Sequence, residues 1–253
     1  MNRTPPVDVR RILRKEVGFG CPIPGCGNPY LTWHHFDPPW SARQHHDPNG
    51  MIALCLDHHA KADAGAYTKQ QLREFKKYAS KNSSLRKGSF DWIRQDLLAV
   101  VGGNFYYETP IIFQFKGHPV IWFNRDEDRR LLLNIRMLSK LPEPRLIVED
   151  NYWMNVGKPI DLECPPSGKF LRVSYENGDA ISIEFINLIS SEDTLNRYQN
   201  SFLNVKYPIT AIEINNAVAG TNINFGPRET EMPGHNIISN GFFSHSRVGI
   251  AVE

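Results

Sequence analysis

The apolar residues follow two different rhythms along this chain, changing at Gly103. Ahead of it the spacing is helical. After Pro5-Pro6, residues Val7, Ile12, Leu13 and Val17 mark one side of a short basic helix over 5–19. Thr68 has the chemistry of an N-cap, and TKQQLREFKKYASKN puts Leu72, Phe75 and Tyr78 on one face. Ser89 likewise opens SFDWIRQDLLAVVGG, read as a helix closed by Gly102-Gly103. Beyond Gly103 the runs IIFQF, VIWF, RLIVE, KFLRVSY and AISIEFINLI are β-branched and aromatic, punctuated by Asn-Gly, Gly-Asp, Pro-Pro and Gly-Lys. YENGDAISIEF reads as a hairpin turning at Asn177-Gly178. SSEDTLNRYQNSFLN reads as a helix or an excursion between strands, and after Pro208 short apolar runs return among many Asn and Gly residues.

This pattern gives an α+β chain: an N-terminal module with flanking helices over 1–85, a helical linker over 86–103 and a mainly antiparallel β domain over 104–253. A sandwich is the default for such a domain; a short β-solenoid is the lesser alternative, because no clean repeat period is found. The 253 residues suffice for one large domain or two modest ones, and 41% hydrophobic with 22% charged residues is ordinary for a soluble globular protein. No apolar run approaches the roughly 20 residues of a membrane span. The basic start MNRTPPVDVRRILRKEV lacks the apolar stretch of a secretory signal, so a cytoplasmic location without a membrane partner is expected. The net charge of +2 conceals an asymmetry. Residues 1–95 hold 15 Lys and Arg against 8 Asp and Glu, whereas the remainder holds 14 against 19. A basic front half suits contact with a polyanion.

The chemistry is concentrated in CPIPGCGNPYLTWHHFDPPWSARQHHDPNGMIALCLDHHAKADAG, residues 21–65. It is too irregular and too rich in Pro, Gly, His and Cys to form a core unaided, and such a segment needs a metal to hold it. Clustered Cys and His in a cytosolic chain argue for metal rather than disulfides. Cys21 and Cys26 form a C-x4-C knuckle that turns at Pro24-Gly25, and Cys55 and His58 form a C-x2-H knuckle. Three thiolates and an imidazole make the closed tetrahedral set of a structural Zn2+. His34 and His35 end the apolar run Tyr30–Trp33, which reads as a strand, so the two rings face opposite sides and serve different roles. His59 follows His58 at the opening of a helix and faces another side. Cys164, isolated in DLECPPSGK, reads as a buried thiol without catalytic duty.

A double His after a strand, an Asn ahead of an apolar strand and a Cys-x-x-His-His helix start resemble the HNH (His-Me finger, ββα-metal) endonucleases, in the variant with an added zinc knuckle. The resemblance spans residues 20–80, including the HHAKADAG ending and the TKQQLREFK helix, and leaves the β domain aside. It implies a catalytic divalent ion held by His34 and His59, His35 as general base, Asn49 holding the loop that orients His35, and Cys21, Cys26, Cys55 and His58 as structural zinc ligands. Asn49 precedes Cys55 by one residue more than that family's usual spacing. The activity implied is hydrolysis of DNA, with RNA left open as the alternative substrate, leaving a 5′ phosphate and a 3′ hydroxyl. Paired active sites would make the protein a homodimer, and a role against phage or mobile elements follows by analogy with bacterial effectors.

The residue types fit that chemistry. A neutral imidazole takes a proton from water near neutral pH, and a divalent ion polarises the phosphate. Two imidazoles favour Mn2+, Ni2+, Co2+ or Zn2+ over oxygen-seeking Mg2+. Arg43 and Lys61 are candidate phosphate contacts, His45 and His46 are read as surface or phosphate-contacting ahead of accessory ligands, and Asp63 as a cap for the following turn ahead of a contact to the site. The rival reading is an inactive zinc-knuckle protein that binds nucleic acid or acts as a scaffold. Zinc alone accounts for Cys21, Cys26, Cys55 and one His, and leaves His34, His35 and His59 idle.

Overall fold

Pro6 caps the first helix, α1 (Val7–Glu16), and its carbonyl accepts the Arg10 amide at 3.0 Å, the first bond of the helix. The computed structural model describes residues 1–79, 85–92, 94–200, 203–234 and 236–253. Leu13 and Val17 are fully buried, but Val7 and Ile12 are exposed, so the apolar side is narrower than the sequence pattern implies. The cause is a polar grip on the inward surface. Arg14, 2% exposed, holds Asp161 through hydrogen bonds of 2.9 and 2.7 Å and lies 3.2 Å from Glu163. This fork fixes the rotation of α1, with Leu13 and Val17 in the core of the N-terminal unit and Arg14 on the β domain.

That unit is built on an antiparallel hairpin of β1 (Leu31–His35) and β2 (Met51–Cys55), with Thr32 opposite Leu54 and His35 opposite Met51. Every β2 residue is buried, because α1 packs against this strand, as does α2 (Leu56–Asp63). The next helix, α3 (Lys69–Ala79), adds Leu72 to the same small core. Thr68 and Gln71 cap it reciprocally: Thr68 Oγ1 accepts the Gln71 amide at 3.2 Å and Gln71 Oε1 accepts the Thr68 amide at 2.9 Å. On the predicted face Leu72 is buried, Phe75 half-buried and Tyr78 exposed. The predicted continuation over 80–82 lies outside the described residues.

The described residues of 86–103 do not form the expected helical linker. Arg86–Ser89 is strand β3, and Leu98–Val101 is strand β4, which turns at Gly102 and Gly103 (φ 57° and 70°) into β5 (Asn104–Tyr107). All four β4 residues are buried, and a short unbroken apolar run carries no periodicity that separates a strand from a helix. Its partner, far along the chain, decides: Leu98–Val101 pairs in parallel with Ala211–Ile214. The β domain therefore begins at Arg86. Tyr30 stitches it to the N-terminal unit, donating its hydroxyl to the Ser89 carbonyl at 2.5 Å and accepting the Ser89 amide at 2.8 Å.

The remaining strands are β6 (Ile111–Phe115), β7 (His118–Arg125), β8 (Leu131–Arg136), β9 (Leu146–Glu149), β10 (Tyr152–Asn155), β11 (Pro159–Glu163), β12 (Phe170–Tyr175), β13 (Ala180–Leu188) and β14 (Ile209–Ala217). Helix α4 (Ser191–Tyr198), opened by a Ser190–Asp193 capping box, lies between the last two. The predicted hairpin at Asn177-Gly178 joins β12 to β13. One sheet of seven strands runs from Val248–Val252 through β6, β7, β8, β9 and β10 to β3. The other, of ten, follows β11, β12, β13, β14 and three short strands to Asn236–Ile238, with β4, β5 and Phe242–Ser244 branching from β14. Phe113, Leu133, Val148 and Trp153 from the first sheet share one core with Leu171, Ile183 and Ile214 from the second. The molecule is thus a mixed α+β fold with a β-rich domain of two facing sheets. No helix among the described residues is long and apolar enough to cross a membrane.

Candidate metal centres

The hairpin ends in the first centre. Cys55 closes β2 and caps α2, His58 stands in the first turn of α2, and Cys21 and Cys26 reach them from a turn held by Gly25 and Gly27 in left-handed conformations. Within that turn the Gly27 amide bonds the Cys21 carbonyl at 3.2 Å and the Cys26 amide bonds the Ile23 carbonyl at 3.0 Å. Cys21 Sγ lies 3.4 Å from His58 Nδ1, Cys55 Sγ lies 3.2 Å from the same nitrogen, and Cys26 Sγ and Cys55 Sγ are 3.8 Å apart. A tetrahedral zinc with ordinary bond lengths has S···S edges of about 3.8 Å and S···N edges of about 3.5 Å. The four donors fit such an ion. Burial pushes the Cys21 and Cys55 thiols up, and a cation that takes them as thiolates supplies the compensation burial removes. None of the four cysteines is in a disulfide; Cys164 is buried among β-domain residues, which pushes its thiol to about 12.

The second centre lies on the other side of the His58–His59 pair. His34 from β1 and His59 and Asp63 from α2 bring their donor atoms within 4.8 Å of one another. Asp63 Oδ1 is 3.0 Å from His34 Nδ1 and Oδ2 is 3.6 Å from His59 Nε2, and the two rings stand edge to face at 5.1 Å. His59 Nε2 is buried without a hydrogen-bond partner, and His34 Nδ1 is buried against the Asp63 carboxylate. Burial lowers the pKa of His34 most, followed by the charge of His59, with Asp63 opposing. Burial also dominates the lowering of His59. Two neutral rings turn towards one carboxylate, and that donor set suits a divalent cation with open positions.

Comparisons with protein-family models, with curated proteins and with solved structures return no match.

His35, on the opposite face of β1, joins a different group. Its ring packs against Trp40 at 4.7 Å, His45 at 5.3 Å and His46 at 5.9 Å, and His46 also stacks on Trp40. Both His35 nitrogens are buried, and the ring lies close to the His45 backbone. Burial first, then the charge of His45, lowers its pKa to about 4, so the ring is neutral and holds a free lone pair at neutral pH. His45 is not at the surface. It is 8% exposed and braces the 36–50 loop, with Nε2 on the Pro38 carbonyl at 2.9 Å and Nδ1 accepting the Asp47 amide at 3.1 Å. Gly50 makes room for this: a Cβ there would fall 2.1 Å from the Asp37 carbonyl oxygen and 2.8 Å from His45 Cε1. The Gly50 carbonyl in turn accepts the Phe36 and Asp37 amides at 2.9 and 3.1 Å.

Asn49, by contrast, is exposed and its amide reaches only Asp47, at 3.1 Å, so His45 and Gly50 hold the loop behind His35. Lys61 is exposed and paired with Asp57 at 2.8 Å; Arg43 is exposed on the loop. Of two residues near the histidines, sequence reasoning favoured the less apt of two roles for one and missed the other. Asp63 faces the second centre rather than capping a turn, and its i,i+4 spacing from His59 on α2 was the available signal. Arg3 is the other: after burial and nearer groups, its charge adds a small depression to His34, His35 and His59. Nothing but the basic character of the first residues pointed to it.

Proposed function

We propose that residues 1–79 form a zinc-stapled ββα-metal endonuclease unit of the HNH type, which hydrolyses phosphodiester bonds in DNA. The observation that carries this reading is the separation of two donor sets across adjacent histidines. A thiolate-rich set with His58 is closed, and a His34–His59–Asp63 set is open on its Asp63 side, where the carboxylate is 54% exposed. A purely structural zinc knuckle has no use for the second set. A divalent ion there would polarise the scissile phosphate and ease departure of the 3′ oxygen.

The chain's own residues do the rest. His35, neutral and with one imidazole lone pair, takes the proton of the attacking water. His45 keeps the loop behind His35 in place. Arg3 and Arg43 supply positive charge for the phosphate backbone, and Lys61 remains tied to Asp57. The β domain, fastened through Arg14 and Tyr30, provides the surface for target choice or pairing of two copies. Plasmid nicking tests the reading with zinc-loaded protein and added Mn2+, Ni2+ or Mg2+, comparing wild type with His35→Ala. Loss of cutting in the variant supports it. Cutting that survives removes His35 as base, and a wild type inert with every ion leaves the zinc-knuckle scaffold in its place.

A further inference from the structure

The hydroxyl of Thr32 sits between a backbone carbonyl and a ring nitrogen, and it has one proton to give. Thr32 Oγ1 is 2.9 Å from the Leu54 carbonyl oxygen, which can only accept, so the proton goes there. The same Oγ1 is 2.7 Å from His59 Nδ1. With its proton spent, the hydroxyl can only accept from the ring; a lone pair on Nδ1 would face an oxygen lone pair at that distance. His59 Nδ1 therefore carries the hydrogen, and Nε2 keeps its lone pair. Nε2 is the buried atom that has no partner and faces Asp63.

We infer that Thr32 is a positioning residue that fixes the tautomer and aim of His59 and so presents Nε2 to a divalent cation. This rests on the reading of His34, His59 and Asp63 as ligands. The device is well anchored. Thr32 and Leu54 are direct partners in the β1–β2 register, so hairpin geometry sets the spacing. The β-branched side chain holds few rotamers, which keeps the hydroxyl aimed. The Leu54 carbonyl belongs to the peptide bond that leads into Cys55, so the chain of bonds from His59 ends beside a ligand of the thiolate-rich centre. Outer-shell partners of this kind fix ring orientation and tune ligand strength at metal sites.

The test uses the full zinc-loaded chain as wild type, Thr32→Val and Thr32→Ser. Valine keeps the shape and strand preference but cannot accept the ring hydrogen. Mn2+ affinity is measured by calorimetric titration, zinc content by elemental analysis, and the His59 tautomer by 15N NMR of the Mn2+-free protein. Thr32→Val should bind Mn2+ about 10–100-fold more weakly with zinc content unchanged, and Thr32→Ser should restore binding. The NMR signature should be Nδ1–H in wild type and Thr32→Ser. Wild-type affinity in Thr32→Val, no recovery in Thr32→Ser, or Nε2–H in wild type overturns the role of Thr32 alone. A wild type that takes up no Mn2+ overturns the ligand reading, and the inference with it.

Discussion

Replacing Cys55 with serine should unfold the N-terminal unit and spare the β domain. Cys55 is 3% exposed, ends β2, caps α2, and places its sulfur 3.2 Å from His58 Nδ1 and 3.8 Å from Cys26 Sγ. Strand, helix and knuckle thus meet at one atom. The core around it is small, with Leu13, Val17 and Met51–Leu54 as its fully buried members. A structural zinc set contributes roughly 10–16 kcal/mol of apparent binding free energy near neutral pH, as much as the roughly 5–15 kcal/mol that separates a typical domain from its unfolded state. Serine stays protonated and is a poor zinc ligand, leaving three ligands of four. Forfeiting even roughly 5 kcal/mol shifts the folding equilibrium by more than about a thousandfold. Hydrogen exchange of the intact chain read by mass spectrometry, with zinc content measured in parallel, reports both halves at once. Amides of β1, β2 and α2 should lose protection together with the zinc, and those of β12, β13 and β14 should keep it. Stoichiometric zinc with wild-type protection over residues 31–63 would refute the argument.

Three further outcomes are expected. Asn49→Ala should leave nicking near wild type, whereas His45→Ala should cost about a hundredfold in kcat at unchanged metal content; the opposite ranking would return the loop-holding role to Asn49. Asp63→Asn should weaken Mn2+ binding to the zinc-loaded chain by more than the about 10–100-fold typical of outer-shell changes, and an unchanged titration would remove Asp63 from the centre. The third concerns Asp179, wholly buried at the β12–β13 turn. Burial raises its pKa, but bonds from Asn177, Ser139 and the Ala219 amide, with Arg145 nearby, outweigh this and hold it below the ordinary value of 3.8. A depressed carboxylate stabilises the fold above its unfolded pKa, and that stability is lost as pH falls through the folded value. The gap in urea midpoint between wild type and Asp179→Asn should therefore be widest near neutrality and narrow below about pH 4. A gap that stays constant into acid would contradict it.

What was legible in the sequence follows the range of the forces involved. Cys21 with Cys26 and Cys55 with His58 are set by local spacing and the β1–β2 hairpin joins the two pairs, while adjacent His34 and His35 must face apart on a strand. Asn177-Gly178 and the Thr68 cap are likewise local chemistry. The failures have distant causes. Leu98–Val101 became a strand because Ala211–Ile214 lies alongside, and Arg86–Ser89 because Tyr152–Asn155 and the Tyr30 hydroxyl take its backbone groups. Val7 and Ile12 were turned outward by a salt bridge to β11, which no helical periodicity announces. His45 looked like a surface residue in a polar loop; only the folded loop shows that Pro38 and Asp47 occupy both its nitrogens.

The parallel pairings set an order of events on the ribosome. Every described strand and helix of the N-terminal unit lies within residues 7–79, so that unit is complete early in translation. β4, β5 and β6 must wait for Ile209–Ala217, Phe242–Ser244 and Val248–Val252, closures across long stretches of chain that are intrinsically slow. Arg14 is made long before Asp161 and Glu163 exist to neutralise it. A nascent chain halted before Ile209 therefore presents the finished β1–β2 hairpin with its histidines next to strands of which β4 and β5 pair only with each other and β6 only with β7, and chaperones would meet the molecule in that condition.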